Sequence, residues 1–272
     1  MSVPGFRLAV LPVTIEEWEC FFEAGGHDDP RFWPEGPARR WQAGIDTLAA
    51  ARHDFFHGNR RYRDDPRKLD EDFLTGLIGP ETYARIKRRT LLSDDELRAE
   101  LLEHHPDVPR RKTGESWGEK GLAGPALTFS YYEARAYCRW LNERTGRRFR
   151  LPTEPELWAA YHRPRARQPI EGEPIGNILS TRLRGVVPVG LFPMSDTVDG
   201  VMDLAGNIRC WTSTAWHEET DGPETGRELT EVEPLTLVTI WGSAPAWDTP
   251  ARCLPRRAGT TYPVGLRLAE DV

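Results

Sequence analysis

The chain has 272 residues, 39% of them hydrophobic and 29% charged, with ten tryptophans, so it can bury a sizeable core beneath a well-solvated surface. Its formal charge of −6 gives no diffuse basic field, and neither nucleic acid nor an anionic membrane is an expected partner. No run approaches the roughly 18 to 20 apolar residues that span a bilayer, and residues 1–14 lack a basic segment followed by an apolar one, so the expected compartment is the cytoplasm.

The first predicted element opens on a capping box, Thr14-Ile15-Glu16-Glu17, continues with Trp18, Phe21 and Phe22 at helical spacing, and closes at Gly25-Gly26. Asp28-Asp29-Pro30 then starts an irregular stretch through Phe32, Trp33 and Trp41, expected to be a packed loop. Residues 42–120 are Ala-rich and Arg/Asp-rich, with a second capping box at Ser93-Asp94-Asp95-Glu96 before Leu97, Leu101 and Leu102, and predict three or four helices. Within them His53 and His57 stand one helical turn apart, a spacing that can hold a metal, but the third ligand is missing and solvated histidines are the expected reading. His104 and His105 are adjacent and point apart on a helix.

Ser130-Tyr131-Tyr132-Glu133 is a third capping box and starts a helix ending at Gly146; residues 147–151 resume in extended form. Thr153-Glu154-Pro155-Glu156 is a fourth, ahead of Leu157, Trp158 and Tyr161. The rest predicts short β-like pieces at 186–192, 235–241 and 264–268 between Pro and Gly loops. Helices early and hairpins late argue for an α+β domain with long irregular connections. The four cysteines, Cys20, Cys138, Cys210 and Cys253, form no CxxC pair, and four free thiols are expected, with Cys138 a small core residue.

Four separated segments resemble, in order, the formylglycine-generating or sulfatase-modifying family. The helix Ser130-Tyr131-Tyr132-Glu133-Ala134-Arg135-Ala136-Tyr137-Cys138-Arg139-Trp140-Leu141 followed by Leu151-Pro152-Thr153-Glu154 is similar to that family's helix and LPTE turn. Gly200-Val201-Met202-Asp203-Leu204-Ala205-Gly206-Asn207-Ile208 with Trp211-Thr212-Ser213 resembles its D-M-x-G-N-V-W-E-W-T-S segment. Trp241-Gly242-Ser243 resembles its R-G-G-S, and Gly265-Leu266-Arg267-Leu268-Ala269 its closing G-F-R-x-A. Leu11-Pro12-Val13-Thr14 is similar to the opening segment. The resemblance implies one C-type-lectin-like α+β domain over 1–272, of the formylglycine-generating-enzyme type, with 42–120 as a helical insertion.

The resemblance also implies what to look for at the site. Members that oxidise a substrate cysteine hold Cu(I) on two thiolates just past G-G-S; the gapless positions here are Ala246 and Ala251, with Cys253 two residues on, so copper is not expected. Two calcium sites are partly kept: Asn177 and Ile178 at one, Asp203, Gly206 and Ile208 at the other, where Cys210 replaces a glutamate. The expectation is therefore no cofactor, with calcium at these residues as the alternative. A related branch of non-haem iron sulfoxide synthases holds iron on three imidazoles from a helical domain ahead of the lectin-like one, and no such domain precedes Thr14 here. These departures lead to the expectation of a non-catalytic accessory or scaffold protein of a signalling or defence system that binds another protein or peptide. A metal-dependent oxidase is the alternative. The expected recognition surface is the loop containing Trp241, Ser243, Trp247, Arg252, Cys253, Arg256 and Arg257, because exposed Trp and Arg dominate binding hot spots.

Overall fold

The computed structural model describes residues 3–33, 36–44, 49–76, 78–104, 123–127, 130–168, 170–183, 185–216, 229, 232–233, 235–242, 253–259 and 264–272. The order is β1 (Phe6–Leu8), α1 (Ile15–Glu23), α2 (Gly36–Gln42), α3 (Ala49–Asp64), α4 (Pro66–Leu74), α5 (Pro80–Arg89), α6 (Asp94–His104), α7 (Tyr131–Thr145), β2 (Phe149–Arg150), α8 (Glu154–Tyr161), β3 (Arg209–Ala215), β4 (Leu237–Gly242), β5 (Cys253–Arg257) and β6 (Ala269–Asp271). This is an α+β fold.

All four capping boxes form. In each, the hydroxyl accepts from the backbone N–H three residues on, and the glutamate there accepts from the cap's own N–H: Thr14 with Glu17, Ser93 with Glu96, Ser130 with Glu133, Thr153 with Glu156. They start α1, α6, α7 and α8. α7 stops at Gly146, whose φ of 70° caps it in the left-handed region.

Two three-stranded antiparallel sheets carry the rest. One runs β1-β6-β2 and joins the two ends of the sequence, Phe6 opposite Asp271. The other runs β3-β4-β5, with Cys210 opposite Trp241 and Trp241 opposite Cys253. The main core lies between this second sheet and α1 and α7, where Trp18, Phe21, Tyr131, Tyr137, Trp211, Ile240 and Leu266 are buried together. Phe32, Trp33 and Trp41 belong to the same core; Trp41 lies on α2 rather than in the expected loop, and its indole N–H donates to Gly259 O at 3.0 Å.

Within 42–120 the described elements are α3 to α6, helices that pack mainly on one another. Among the described side chains their buried apolar residues are Leu69 and Leu97, and polar ties join the helices: Tyr62 to Asp72 at 2.8 Å, Tyr83 to Asp70 at 2.7 Å, Arg89 to Glu100 at 2.8 Å.

Two β-like expectations do not hold. Residues 186–192 form no strand. Their backbone is bound by side chains instead of a strand partner: Val187 N donates to Asn207 Oδ1 and its carbonyl accepts from Asn207 Nδ2, while Gly190 N donates to Asp203 Oδ2. Within 264–268 only Gly265 pairs, in a parallel bridge to Cys210, and the last strand is β6 beyond it.

Candidate functional site

Two identical tripeptides, Gly176-Asn177-Ile178 and Gly206-Asn207-Ile208, face each other backbone to backbone. Asn207 N donates to Asn177 O at 2.8 Å, and Asn177 Nδ2 donates to Asn207 Oδ1 at 3.1 Å and Gly185 O at 2.7 Å. Glycine is required twice in this approach: a Cβ on Gly176 would sit 1.8 Å from Ala205 O, and one on Gly206, at φ +78°, 2.8 Å from Asn177 O. Asp203, at φ 52°, is buried beside them. Burial pushes its carboxyl up, against the hydrogen bond from Gly190 N and the charge of Arg267.

Several of the oxygens expected to serve calcium accept hydrogen bonds from the protein. Asn177 Oδ1 accepts from the Thr181 hydroxyl, Ile178 O from the same hydroxyl, Asp203 Oδ2 from Gly190 N, and Gly206 O from Ile208 N. Arg267, 1% exposed, locks the same region to the N-terminal segment, donating to Ala9 O, Val10 O, Met202 O and Asp203 O at 2.6 to 3.2 Å.

The expected recognition loop is only partly within the described residues. Ser243, Trp247 and Arg252 lie outside them, as do Ala246, Ala251 and the Cys253 side chain. Trp241 is corrected: at 3% exposure it is core, because β4 is the central strand and α8 covers that end of it. Arg256 and Arg257 are half-buried, and Arg257 donates to Leu235 O at 2.7 Å. Above Trp241 lies an aromatic cluster on α8 and just past it. Trp158 stands edge-on to Trp241 with centroids 5.8 Å apart, Tyr161 contacts Trp241 at 5.9 Å, and His162 lies 4.3 Å from Trp158. Trp158 is 45% exposed, and the buried indole N–H of Trp241 has no hydrogen-bond partner. Indole faces of this kind recognise rings and cations.

His53 and His57 stack on α3 with centroids 4.0 Å apart and planes 28° apart. Imidazole lone pairs lie in the ring plane, so stacked rings do not aim at one ion. No group of three metal-ligating side chains converges among the described residues.

Residues 1–253 match the sulfatase-modifying factor enzyme 1-like domain. The chain belongs to that family. Among curated relatives it is similar to the hercynine oxygenase of Mycolicibacterium smegmatis, 25% identical over 223 residues, covering 79% of this chain and 38% of that protein. The hercynine oxygenase of Mycobacterium tuberculosis is 26% identical over 224 residues, covering 79% and 39%. The formylglycine-generating enzyme of Bos taurus is 25% identical over 262 residues, covering 84% and 66%. The chain therefore spans about two fifths of the length of the hercynine oxygenases it matches.

These matches overturn the expectation of a non-catalytic accessory or scaffold protein. The replaced copper thiols bear on one chemistry of the sulfatase-modifying factor enzyme 1-like family, whereas its similar members include enzymes named as oxygenases.

Two features of this family member escaped the sequence reading. Trp158 was seen only as a helical apolar position, although an exposed tryptophan was the chemistry being sought. The second is a buried pair. Glu133, 0% exposed, caps α7 through Oε2, while its Oε1 lies 3.5 Å from His27 Nε2. His27 stacks on Phe22 at 5.0 Å, and its carbonyl accepts from Trp33 Nε1 and Gln42 Nε2. Its glutamate partner was legible as a cap; the histidine 106 positions earlier carried no local signal.

Proposed function

We propose that the chain is the lectin-like part of an oxygen-dependent metal oxidase of the hercynine-oxygenase kind, binding a small ring-bearing or cationic substrate at the exposed aromatic surface of Trp158 and His162, which the buried Trp241 backs. The carrying observation is the match to hercynine oxygenases over 79% of the chain. The exposed indole of Trp158, backed edge-on by Trp241, supports the placement of the substrate. Iron would activate oxygen in such an enzyme. The stacked His53 and His57 do not fit it, so no step is assigned to them.

A formylglycine-generating activity is the second reading, on the 84% coverage by the Bos taurus enzyme. Ala246 and Ala251 disfavour it, since alanine offers Cu(I) no soft ligand. The free thiols Cys20, Cys138 and Cys210 suit a reducing compartment such as the cytoplasm. No described helix is long and apolar enough to cross a membrane.

Oxygen uptake tests the proposal. The chain is prepared without oxygen, supplied with ferrous iron, hercynine and a thiol, then mixed with air-saturated buffer. Uptake above the iron-only blank is expected, with a raised KM in Trp158→Ala. Equal uptake with and without hercynine overturns it, and uptake that needs Cu(I) and a cysteine peptide selects the second reading.

A further inference from the structure

The inserted helices hold a cavity of about 200 Å³ that neither the family match nor the proposed oxidase chemistry uses. α3 presents His57, Arg60 and Arg63 to it from one face, at spacings of three residues, and α6 presents Asp94 and Arg98 from its first turns. The floor is apolar, Phe56 and the buried Leu97. The space is several water molecules' worth, enough for a small ion and part of its hydration.

Charge in this cavity does not balance. Three guanidinium groups, Arg60, Arg63 and Arg98, line it against one carboxylate, Asp94, a surplus of two positive charges before His57 is considered. Arg63 binds that carboxylate, Nη1 to Oδ1 at 2.9 Å, and its Nη2 donates to Leu92 O at 2.6 Å. This leaves Arg63 Nε buried with no hydrogen-bond partner. Arg60 approaches Asp94 only to 3.8 Å, beyond hydrogen-bonding distance, and is 65% exposed. Arg98 pairs outward with the exposed Asp95 at 2.9 Å, an interaction of little strength. Guanidinium groups with unspent N–H donors, held over an apolar floor, form a receptor for a planar or tetrahedral oxyanion.

We propose that this cavity between α3 and α6 binds a small oxyanion of the phosphate or phosphomonoester class, held by Arg60 and Arg98 and received by the free Nε–H of Arg63. An orphaned buried donor costs stability unless something accepts from it, and an anion here supplies the acceptor. Its charge also offsets the mutual repulsion of the three arginines. Binding then ties α3 to α6 and stiffens helices whose buried apolar residues, among those described, are Leu69 and Leu97.

The test uses the full chain and inorganic phosphate, with chloride at matched ionic strength as control. Thermal shift and calorimetric titration are run on the unaltered protein and on Arg60→Gln and Arg98→Gln. Arg63 is left intact because its fork joins the two helices. Saturable stabilisation by phosphate and not chloride is expected, with affinity reduced about ten-fold in each variant, the worth of one charge-assisted hydrogen bond. Phenyl phosphate in place of phosphate separates a free-ion site from a phosphomonoester site. Equal shifts with chloride and phosphate overturn the proposal. So does unchanged phosphate affinity in both variants once circular dichroism shows them folded.

Discussion

The amide group of Asn177 donates to Asn207 Oδ1 at 3.1 Å while the Asn207 backbone N–H donates to Asn177 O at 2.8 Å, so each asparagine holds the loop of the other. Asn207 also clasps Val187 through both its side-chain atoms and adopts a φ of 65°. Asn207→Ala removes the three side-chain bonds, to Asn177 Nδ2, Val187 N and Val187 O, and leaves a left-handed residue without its polar side chain. A loss of about 3 kcal/mol is expected in urea denaturation, the scale of two or more unsatisfied buried groups. Because protein donors already bind several of the candidate calcium oxygens, millimolar calcium should leave the unfolding midpoint where it is; a clear upward shift reversed by chelator would show a working calcium site.

Arg267 should be intolerant of change. Its guanidinium serves four backbone carbonyls and lies near the buried Asp203. Arg267→Met retains the stem, strands those acceptors and leaves Asp203 without its counter-charge. The expected cost is about 3 to 5 kcal/mol, measured by the same denaturation curves. A variant within 1 kcal/mol of the parent would mean that water replaces the guanidinium.

Stability should depend on pH through His27. Burial pulls this histidine down, but the Glu133 carboxylate 3.5 Å from its Nε2, helped by Asp28, outweighs it and holds it above its ordinary value. A raised folded value means the contribution is fully present below the unfolded pKa of about 6.5 and is lost as pH rises through the folded one. Melting temperatures taken from pH 6 to pH 8 should fall, and His27→Gln should flatten that slope. A slope unchanged in the variant would assign the pH dependence elsewhere.

The thiols should divide by burial. Cys138 is pushed up to about 12 and Cys210 up to about 11, both by removal from water, while Cys20 is exposed. Iodoacetamide at pH 8, followed by peptide mapping, should label Cys20 in the native protein and reach Cys138 and Cys210 only in urea. Native labelling of Cys210 would mean that β3 opens on its own.

The parts of the fold legible in advance were those written in neighbouring residues. A capping box needs four positions, and Ser93 to Glu96 announces α6 wherever it lands. Trp241 was misplaced because β4 alternates nothing: buried on both faces, it reads the same as an exposed apolar loop until α8 is known to lie over it. Residues 186–192 looked like a strand because their apolar residues suit one, yet Asn207 and Asp203 had already claimed their backbone. Of the candidate site, the family segments were readable, whereas the platform joining Trp158 to Trp241 unites residues 83 positions apart and existed only in three dimensions.

The pairing of β1 with β6 sets a schedule for the chain's birth. Phe6 pairs in register with Asp271, 265 residues later, so its strand has no partner until that stretch has been made. At roughly 5 to 20 residues per second, that wait is on the order of 13 to 53 seconds. Through it Arg267 is also missing, and the carbonyls of Ala9 and Val10 remain in water. The capping boxes of α1, α7 and α8 can act as soon as they emerge, so helices accumulate first and the closing segment converts them into a domain late and cooperatively. A stop codon a few residues before Ala269 would thus leave β1 and β2 without the strand that lies between them.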